Sequence, residues 1–377
     1  MSPQLQPFVP FDLERWQSTW EHRVRFNLSE SGVHALTVAE LLALAGEGPA
    51  TIQDLPLGYG QSDGSVELRR AIAALYPGAE AEHVTVTIGS AEANFVVCWA
   101  LFGAGRRAVI VAPTYMQMWG LAENAGTAVA PLWLRAERGW EPDPDDISRT
   151  IATGTDVVIV TDPNNPTGHV LSPEARAFIV ARARAVGAWL VVDEVFQGAE
   201  RAGRATPTWW GATDRTIVVG GLSKAYGLPG LRIGWIVSPP DVKRALLERH
   251  DYTVIGPGPL TDRLALLAIQ QRTPLHARTR TILNANYPVL ADWLTDLDDG
   301  LAWREPECGA ICFVRYDHPV PSLDVVERAR AERDVLLVPG DYFGMPGHLR
   351  FGYGGRTDDL HRALHVLTPA LRESWRV

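Results

Sequence analysis

Apolar residues in the middle of the chain gather into short uninterrupted runs, separated by longer stretches where apolar positions return every three or four residues. The runs fall at 84–88, 108–111, 157–161, 189–192, 216–220 and 233–237. Continuous apolar strands alternating with helices are what a parallel sheet covered on both faces requires. The pattern extends from about 55 to 238. Beyond it, 260–271 and 278–297 read as helices, 310–314 as a strand, 323–332 as a helix, and 335–338 and 348–352 as strands. A last helix carries Leu360, Leu364, Leu367 and Leu371 on one face. Near the start, Leu13, Trp16, Trp20 and Val24 stand at helical spacing and predict a short amphipathic helix, either a lid or plain packing.

No repeat, low-complexity tract or Pro/Gly/Ser-rich linker divides the chain. The expected architecture is α/β: a large domain over 45–270, with a mostly parallel sheet covered by helices on both faces, and a smaller α+β domain formed by 1–44 together with 271–377. A length of 377 residues favours two packed units over one core.

Composition narrows the function. Hydrophobic residues make up 46% of the chain and the net charge is −9, which suits a globular protein and, with no basic block, argues against nucleic-acid binding. No stretch reaches the roughly 20 apolar residues of a membrane span, and the first residues lack the basic and apolar regions of a signal peptide. Cys98, Cys308 and Cys312 are too few and too irregular for a disulfide framework or a zinc site. A cytoplasmic protein acting on a small molecule is expected. Of the 35 Lys and Arg residues only Lys224 and Lys243 are lysines, and Lys243 lies in an ordinary helical stretch.

Lys224 sits in GGLSKAYGLPGLRIGW, residues 220–235. A lysine amine can form a Schiff base with an aldehyde cofactor, whereas a guanidinium is too basic to lose its proton. The surrounding glycines let the backbone turn and approach a phosphate closely. Alone, this is also what an exposed lysine beside a glycine-rich loop looks like. Six further segments bear on the choice: YGQSDGSVELRRAI, TIGSAEAN, APTYMQMW, DPNNPTG, LVVDEVFQ and, near the C-terminus, HLRFGYG. Together with the lysine segment they resemble, in order, the motifs of the class I/II aminotransferase family of fold-type I pyridoxal phosphate (PLP) enzymes. No P-loop, H-E-x-x-H or G-x-S-x-G motif competes.

The resemblance implies an aspartate aminotransferase-like fold, PLP as cofactor and a free amino acid as substrate. It makes Lys224 the Schiff-base lysine, with Ser223 beside it, and Arg232 a phosphate-binding arginine. Ser90 and the backbone at Ala91 would hold the phosphate at a helix N-terminus, Tyr115 would stack on the pyridine ring, and Asn165 would donate to its O3′. Asp193 would keep the ring nitrogen protonated, which makes the ring an electron sink. Arg350 would fork onto the substrate carboxylate. Tyr59 matches a tyrosine that reaches the neighbouring subunit's phosphate, so a homodimer with shared sites is expected. Each residue also has a plain structural use: a helix cap for Ser90, a core ring for Tyr115, a turn for Asn165 and Asp193, an ordinary ion pair for Arg350.

Three positions depart from the usual pattern. Gly221 replaces a phosphate-binding serine. Phe196 replaces a tyrosine hydrogen-bonded to O3′, and loss of that donor raises the pKa of the Schiff base. At the N-terminus, FNLSESGVHALTVAELLAL resembles the S-S-G-V-H segment of capreomycidine-synthase-type cyclases, which act on hydroxylated arginine. That likeness implies that Ser29, Glu30, Gly32 and His34 lie by the substrate, with Glu30 and Glu14 either meeting a guanidinium or serving as solvated surface charges; Glu14 is read as the latter. The expected reaction is elimination and cyclisation of an arginine-derived amino acid. Simple transamination is the alternative, and a binding module without chemistry a third reading that an intact Lys224, Asp193 and Arg350 set opposes.

Overall fold

A computed structural model describes residues 7–297 and 300–375. Its centre is a seven-stranded sheet in the spatial order Val84–Thr87, Gly234–Val237, Thr216–Gly221, Trp189–Asp193, Val157–Thr161, Arg107–Ala112, Ala128–Trp133. The last five run parallel to one another, and Gly234–Val237 is antiparallel to both its neighbours. Each of the six expected runs is one of these strands. Their residues alternate between two cores: Val109 and Val111 face one, Ala108 and Ile110 the other, and Val158 and Val160 oppose Val157 and Ile159 in the same way. Burial on both faces is why no polar alternation was visible in the sequence.

The strand Ala128–Trp133 was not expected. It lies at the sheet edge, most of its residues are at least partly exposed, and Pro131 sits within it, a residue that edge strands tolerate because one side of their ladder is unpaired.

A second, four-stranded antiparallel sheet runs in the order Val338–Pro339, His348–Gly352, Ile311–Tyr316, Leu301–Trp303. The expected single strand over 335–338 is two short strands. Val335–Leu336 pairs in parallel with Phe26–Asn27, and Val338–Pro339 joins the small sheet, so the chain changes partners at Leu337. The helix expected over 278–297 begins earlier and spans Arg272–Leu297.

The N-terminal helix is Asp12–Trp20, and Val24 falls beyond it. Its apolar stripe packs: Leu13 is buried, Trp16 donates to the Leu337 carbonyl at 2.8 Å, and Arg330 lies 3.8 Å from the Trp20 ring centroid. Lys243, too, has a use. It is buried on the helix Pro240–His250, with its amine 2.8 Å from Asp63 Oδ2, a carboxylate that also lies 3.3 Å from Arg69. Among the described residues no helix is long and apolar enough to cross a membrane.

One buried histidine ties the two sheets' loops together. His169 Nδ1 lies 2.7 Å from Glu307 and Nε2 2.9 Å from Glu141. Burial alone would lower its pKa, but hydrogen bonds to Glu141 and Glu307 outweigh that and raise it to about 9. Because the folded value lies above the unfolded one of about 6.5, the stabilisation is complete below pH 6.5 and is lost as pH rises through about 9. With Glu307 half-exposed, solvent screening leaves it on the order of 1–2 kcal/mol. Denaturant unfolding of His169→Gln is expected to show that deficit at pH 6 and to converge with the unmodified chain by pH 10.

Candidate active site

A cavity of about 410 Å³ opens at the C-terminal ends of the parallel strands, as ligand sites in α/β sheets do. Ser90, Ala91, Tyr115, Asn165, Asp193, Phe196, Ser223, Lys224, Arg232, Arg350 and Glu30 all line it. They come from segments far apart in sequence, and strand ends and strand-to-helix turns bring most of them together.

One end is built for an anion. The helix Gly89–Leu101 presents its N-terminus to the cavity, where unpaired N–H groups and the helix dipole favour negative charge. Gly89 has φ +76°, and a Cβ there would stand 2.5 Å from Arg232 Nη2. A Cβ on Gly234 would come within 2.4 Å of Ser90 N. Both glycines therefore leave room for backbone and guanidinium to converge on one point. Arg232 itself adopts φ +51°, a left-handed conformation that a non-glycine residue holds at some cost. A side chain at Gly221 would reach Ser90 Cβ at 3.6 Å, so the serine missing there would face the same spot as Ser90.

Asp193 ends the central strand and is buried. Its Oδ1 accepts from Val195 N at 3.1 Å and its Oδ2 from Asn94 Nδ2 at 3.2 Å. Burial pushes its pKa up, against those two bonds and the Lys224 charge. A cation placed against it would hold it ionised. Asn94 was not foreseen, although it lies four residues after Ser90 and so on the same helix face. Gln117 was also missed: it donates to the Ala91 carbonyl at 2.8 Å and accepts from Asn94 at 3.2 Å.

Lys224 Nζ stands 3.2 Å from Glu30 Oε1. That ammonium, above all, holds the Glu30 carboxyl down at about 2, aided by N–H groups of Gly32 and Ser31, while burial opposes it. Gly32 passes over the lysine: a Cβ there would stand 3.1 Å from the Ser223 carbonyl and 3.6 Å from Lys224 Cδ. His34, expected beside the substrate, does not line the cavity. The chain turns away after Gly32 onto the small sheet, His34 N donating to the Gly354 carbonyl at 2.8 Å and the ring taking a 2.8 Å contact from Arg278. Ser29 reaches the site through its carbonyl, which accepts from Arg350.

Arg350 is 1% exposed on the strand His348–Gly352. Its Nη1 donates to Asn165 Oδ1 at 2.8 Å and its Nη2 to the Ser29 carbonyl at 2.6 Å, while Nε is buried without a partner. The two asparagines of the 164–165 turn divide the work. Asn164 folds the turn by accepting from Thr167 Oγ1 at 2.7 Å, which leaves Asn165 for Arg350.

Glu14 is not the solvated surface charge expected. It lines the cavity and accepts from the Tyr115 hydroxyl at 2.5 Å. Burial first, and the Glu14 carboxylate second, push the Tyr115 pKa well up. Gln17 and Glu21 line the same wall. Tyr59, by contrast, is 95% exposed and outside this chain's own cavity.

This arrangement suits PLP. An anion cradle that a Cβ would fill lies at one end, a buried carboxylate stands where a ring nitrogen needs one, and a reactive amine lies between them. Residues 30–367 match the family described as aminotransferase class I and II. The chain is 33% identical to capreomycidine synthase of Streptomyces vinaceus over 98% of its own length and 95% of that protein's. Among solved structures it superposes on a PLP-dependent aminotransferase from Streptococcus suis with a TM-score of 0.92 at 29% identity, covering 98% of this chain and 99% of that one. It superposes on the PLP-dependent cyclase OrfR with a TM-score of 0.90 at 32% identity, covering 99% and 100%. The chain belongs to the aminotransferase class I and II family and is a PLP-dependent enzyme.

Proposed function

We propose that the enzyme takes a hydroxylated, arginine-derived L-α-amino acid, eliminates its Cβ substituent and closes a cyclic guanidine. The observation that carries this reading is the likeness to capreomycidine synthase along almost the full length of both chains, supported by the cyclase OrfR among the structural neighbours. Within the chain, the 26–34 segment that distinguishes such cyclases lies against the catalytic lysine, Glu30 pairing with it and Gly32 covering it.

PLP supplies an electron sink that makes the Cα–H bond acidic. The chain's residues do the rest. Ser90, the Ala91 N–H, Ser223 and Arg232 hold the phosphate, and Tyr59 of a second subunit completes that end. Asp193, oriented by Asn94 and Val195 N–H, keeps the ring nitrogen protonated. Tyr115 covers the ring, while Asn165 donates to O3′ and supports Arg350. Arg350 holds the substrate carboxylate and so fixes which Cα bond faces Lys224. The Lys224 amine takes the Cα proton. The Cβ–O bond then breaks and the hydroxyl leaves as water with the proton taken from Cα; a guanidino nitrogen bonds to Cβ, and the proton it loses is returned to Cα through the Lys224 amine. Phe196 offers no hydroxyl to the cofactor, which separates this site from one with a tyrosine there.

Exposed apolar side chains support the dimer. Leu57 and Tyr59 stand on the loop beside 256–257, and Tyr252, Trp99 and Phe95 form a chain of ring contacts at 5.9 and 5.8 Å nearby. Exposed large apolar side chains clustered in this way mark an interaction face.

The Streptococcus suis aminotransferase, of near-identical fold, favours transamination as a second reading. Incubating the PLP-loaded protein with 3-hydroxyarginine, arginine and common amino acids, with and without 2-oxoglutarate, separates the two. A cyclic product that keeps all substrate nitrogens and needs no oxo acid is expected. Glutamate formation that requires 2-oxoglutarate would sink the cyclase reading.

A further inference from the structure

The helix Asp12–Trp20 carries two stripes. Leu13, Trp16 and Trp20 pack on the protein, while Glu14, Gln17 and the following Glu21, spaced by three and four residues, line the cavity wall. We propose that this second stripe is the receptor for the cationic end of the substrate, a guanidinium, whose amino acid is held by its carboxylate at Arg350. The inference rests on the arginine-derived substrate proposed above and names the residues that would select it.

Four observations carry it. First, the wall offers acceptors. Gln17 uses its Nε2 on the Ser29 carbonyl and hydroxyl at 2.8 and 3.1 Å, which leaves its oxygen for a ligand between the two carboxylates. A guanidinium is donor-only, with five N–H groups in a planar fork, so a row of acceptors suits it and an ordinary polar side chain does not. Second, Glu30 is already committed: its Oε1 takes the Lys224 amine, Ser31 N and Gly32 N at 3.2, 2.9 and 3.0 Å. Third, the Glu21 carboxylate gains nothing from its helix: it sits at the C-terminal cap, where the helix dipole disfavours a carboxylate, and among the described residues it faces only the exposed His22 ring at 3.4 Å. Fourth, the same cavity contains a buried polar group awaiting a ligand. Arg350 is 1% exposed and its Nε has no partner. A carboxylate receiver and an acceptor-only wall in one cavity describe an amino acid with a carboxylate at one end and a donor-only cation at the other.

Selectivity is then a matter of charge rather than size. Loss of one charged hydrogen bond should weaken arginine by roughly tenfold and leave a neutral side chain of similar length untouched. The experiment is calorimetric titration of the PLP-loaded protein with L-arginine and with L-norleucine. The unmodified enzyme should bind arginine at least 30-fold more tightly. Glu21→Gln should cut that preference by about tenfold with norleucine affinity kept within about twofold, and Glu14→Gln/Glu21→Gln should abolish the preference. Glu21→Asp, which keeps the charge, should retain most of the preference. The cofactor's visible band reports that each variant still folds and loads. Preference intact in Glu21→Gln and in the double variant overturns this inference and leaves the cyclase reading standing. No preference for arginine in the unmodified enzyme overturns the substrate reading itself, and this inference with it.

Discussion

Lys224→Ala is expected to lower turnover by on the order of 10⁴-fold or more, because on the proposed assignment it removes both the covalent anchor of the cofactor and the base for the Cα proton. The cofactor should still bind. The anion cradle at Gly89, Ser90 and Arg232 and the buried Asp193 do not touch the lysine side chain in making their own contacts. Borohydride treatment should fix the cofactor to the unmodified chain and leave the variant unlabelled, as mass spectrometry would read directly. A variant that retained more than about a hundredth of the activity would mean that another group takes the proton. Glu30 would be the first suspect, because the ammonium that above all holds its carboxyl down is gone from the variant while the burial that pushes it up remains.

The second large effect belongs to Arg350. Burial lowers its pKa to about 10, opposed by the charges of Glu30, Tyr115 and Glu14, so it is still cationic at neutral pH. Arg350→Lys keeps the charge but loses the fork. Two donors, to Asn165 and to the Ser29 carbonyl, must then be replaced by one flexible ammonium, and the substrate carboxylate loses its bidentate partner. One or two charged hydrogen bonds at roughly 1.5–3 kcal/mol each predict a rise in KM of on the order of 10²-fold. The rise should be the same for arginine and for neutral amino acids, since the carboxylate is common to all. A KM unchanged within about threefold would show that the carboxylate is held elsewhere. The PLP absorbance should be unaltered, which separates loss of substrate binding from loss of the folded site.

What could be read from the sequence divides along physical lines. The buried strands were visible because both their faces meet core, so apolar residues run on without interruption. Ala128–Trp133 was not, because an exposed edge strand with a proline carries no such run. The segment around Lys224 was legible since glycines at fixed offsets are dictated by close backbone approaches, at Gly234 above all. Glu14, Gln17 and Glu21 have the spacing of a helix face, but a polar face looks the same whether it meets water or a cavity. Only the packing of Trp16 and Trp20 on the opposite side decides which way it points. Asn94 and Gln117 were hidden for a related reason: they serve Asp193 and Ala91 across tertiary contacts that no local pattern encodes. His34 shows the converse, a motif residue that a turn after Gly32 carries out of the site.

The burial of Lys243 against Asp63 gives the chain an unusual chemical handle. Both ε-amines are ion-paired, Lys243 to Asp63 at 2.8 Å with 10% side-chain exposure and Lys224 to Glu30 at 3.2 Å with 24%, so Lys224 is the more open to an amine-directed reagent. Acylation of the native protein's ε-amines should therefore favour Lys224, and on the proposed assignment the cofactor is its natural competitor there. The extent of labelling at one peptide would measure cofactor occupancy without any substrate being known.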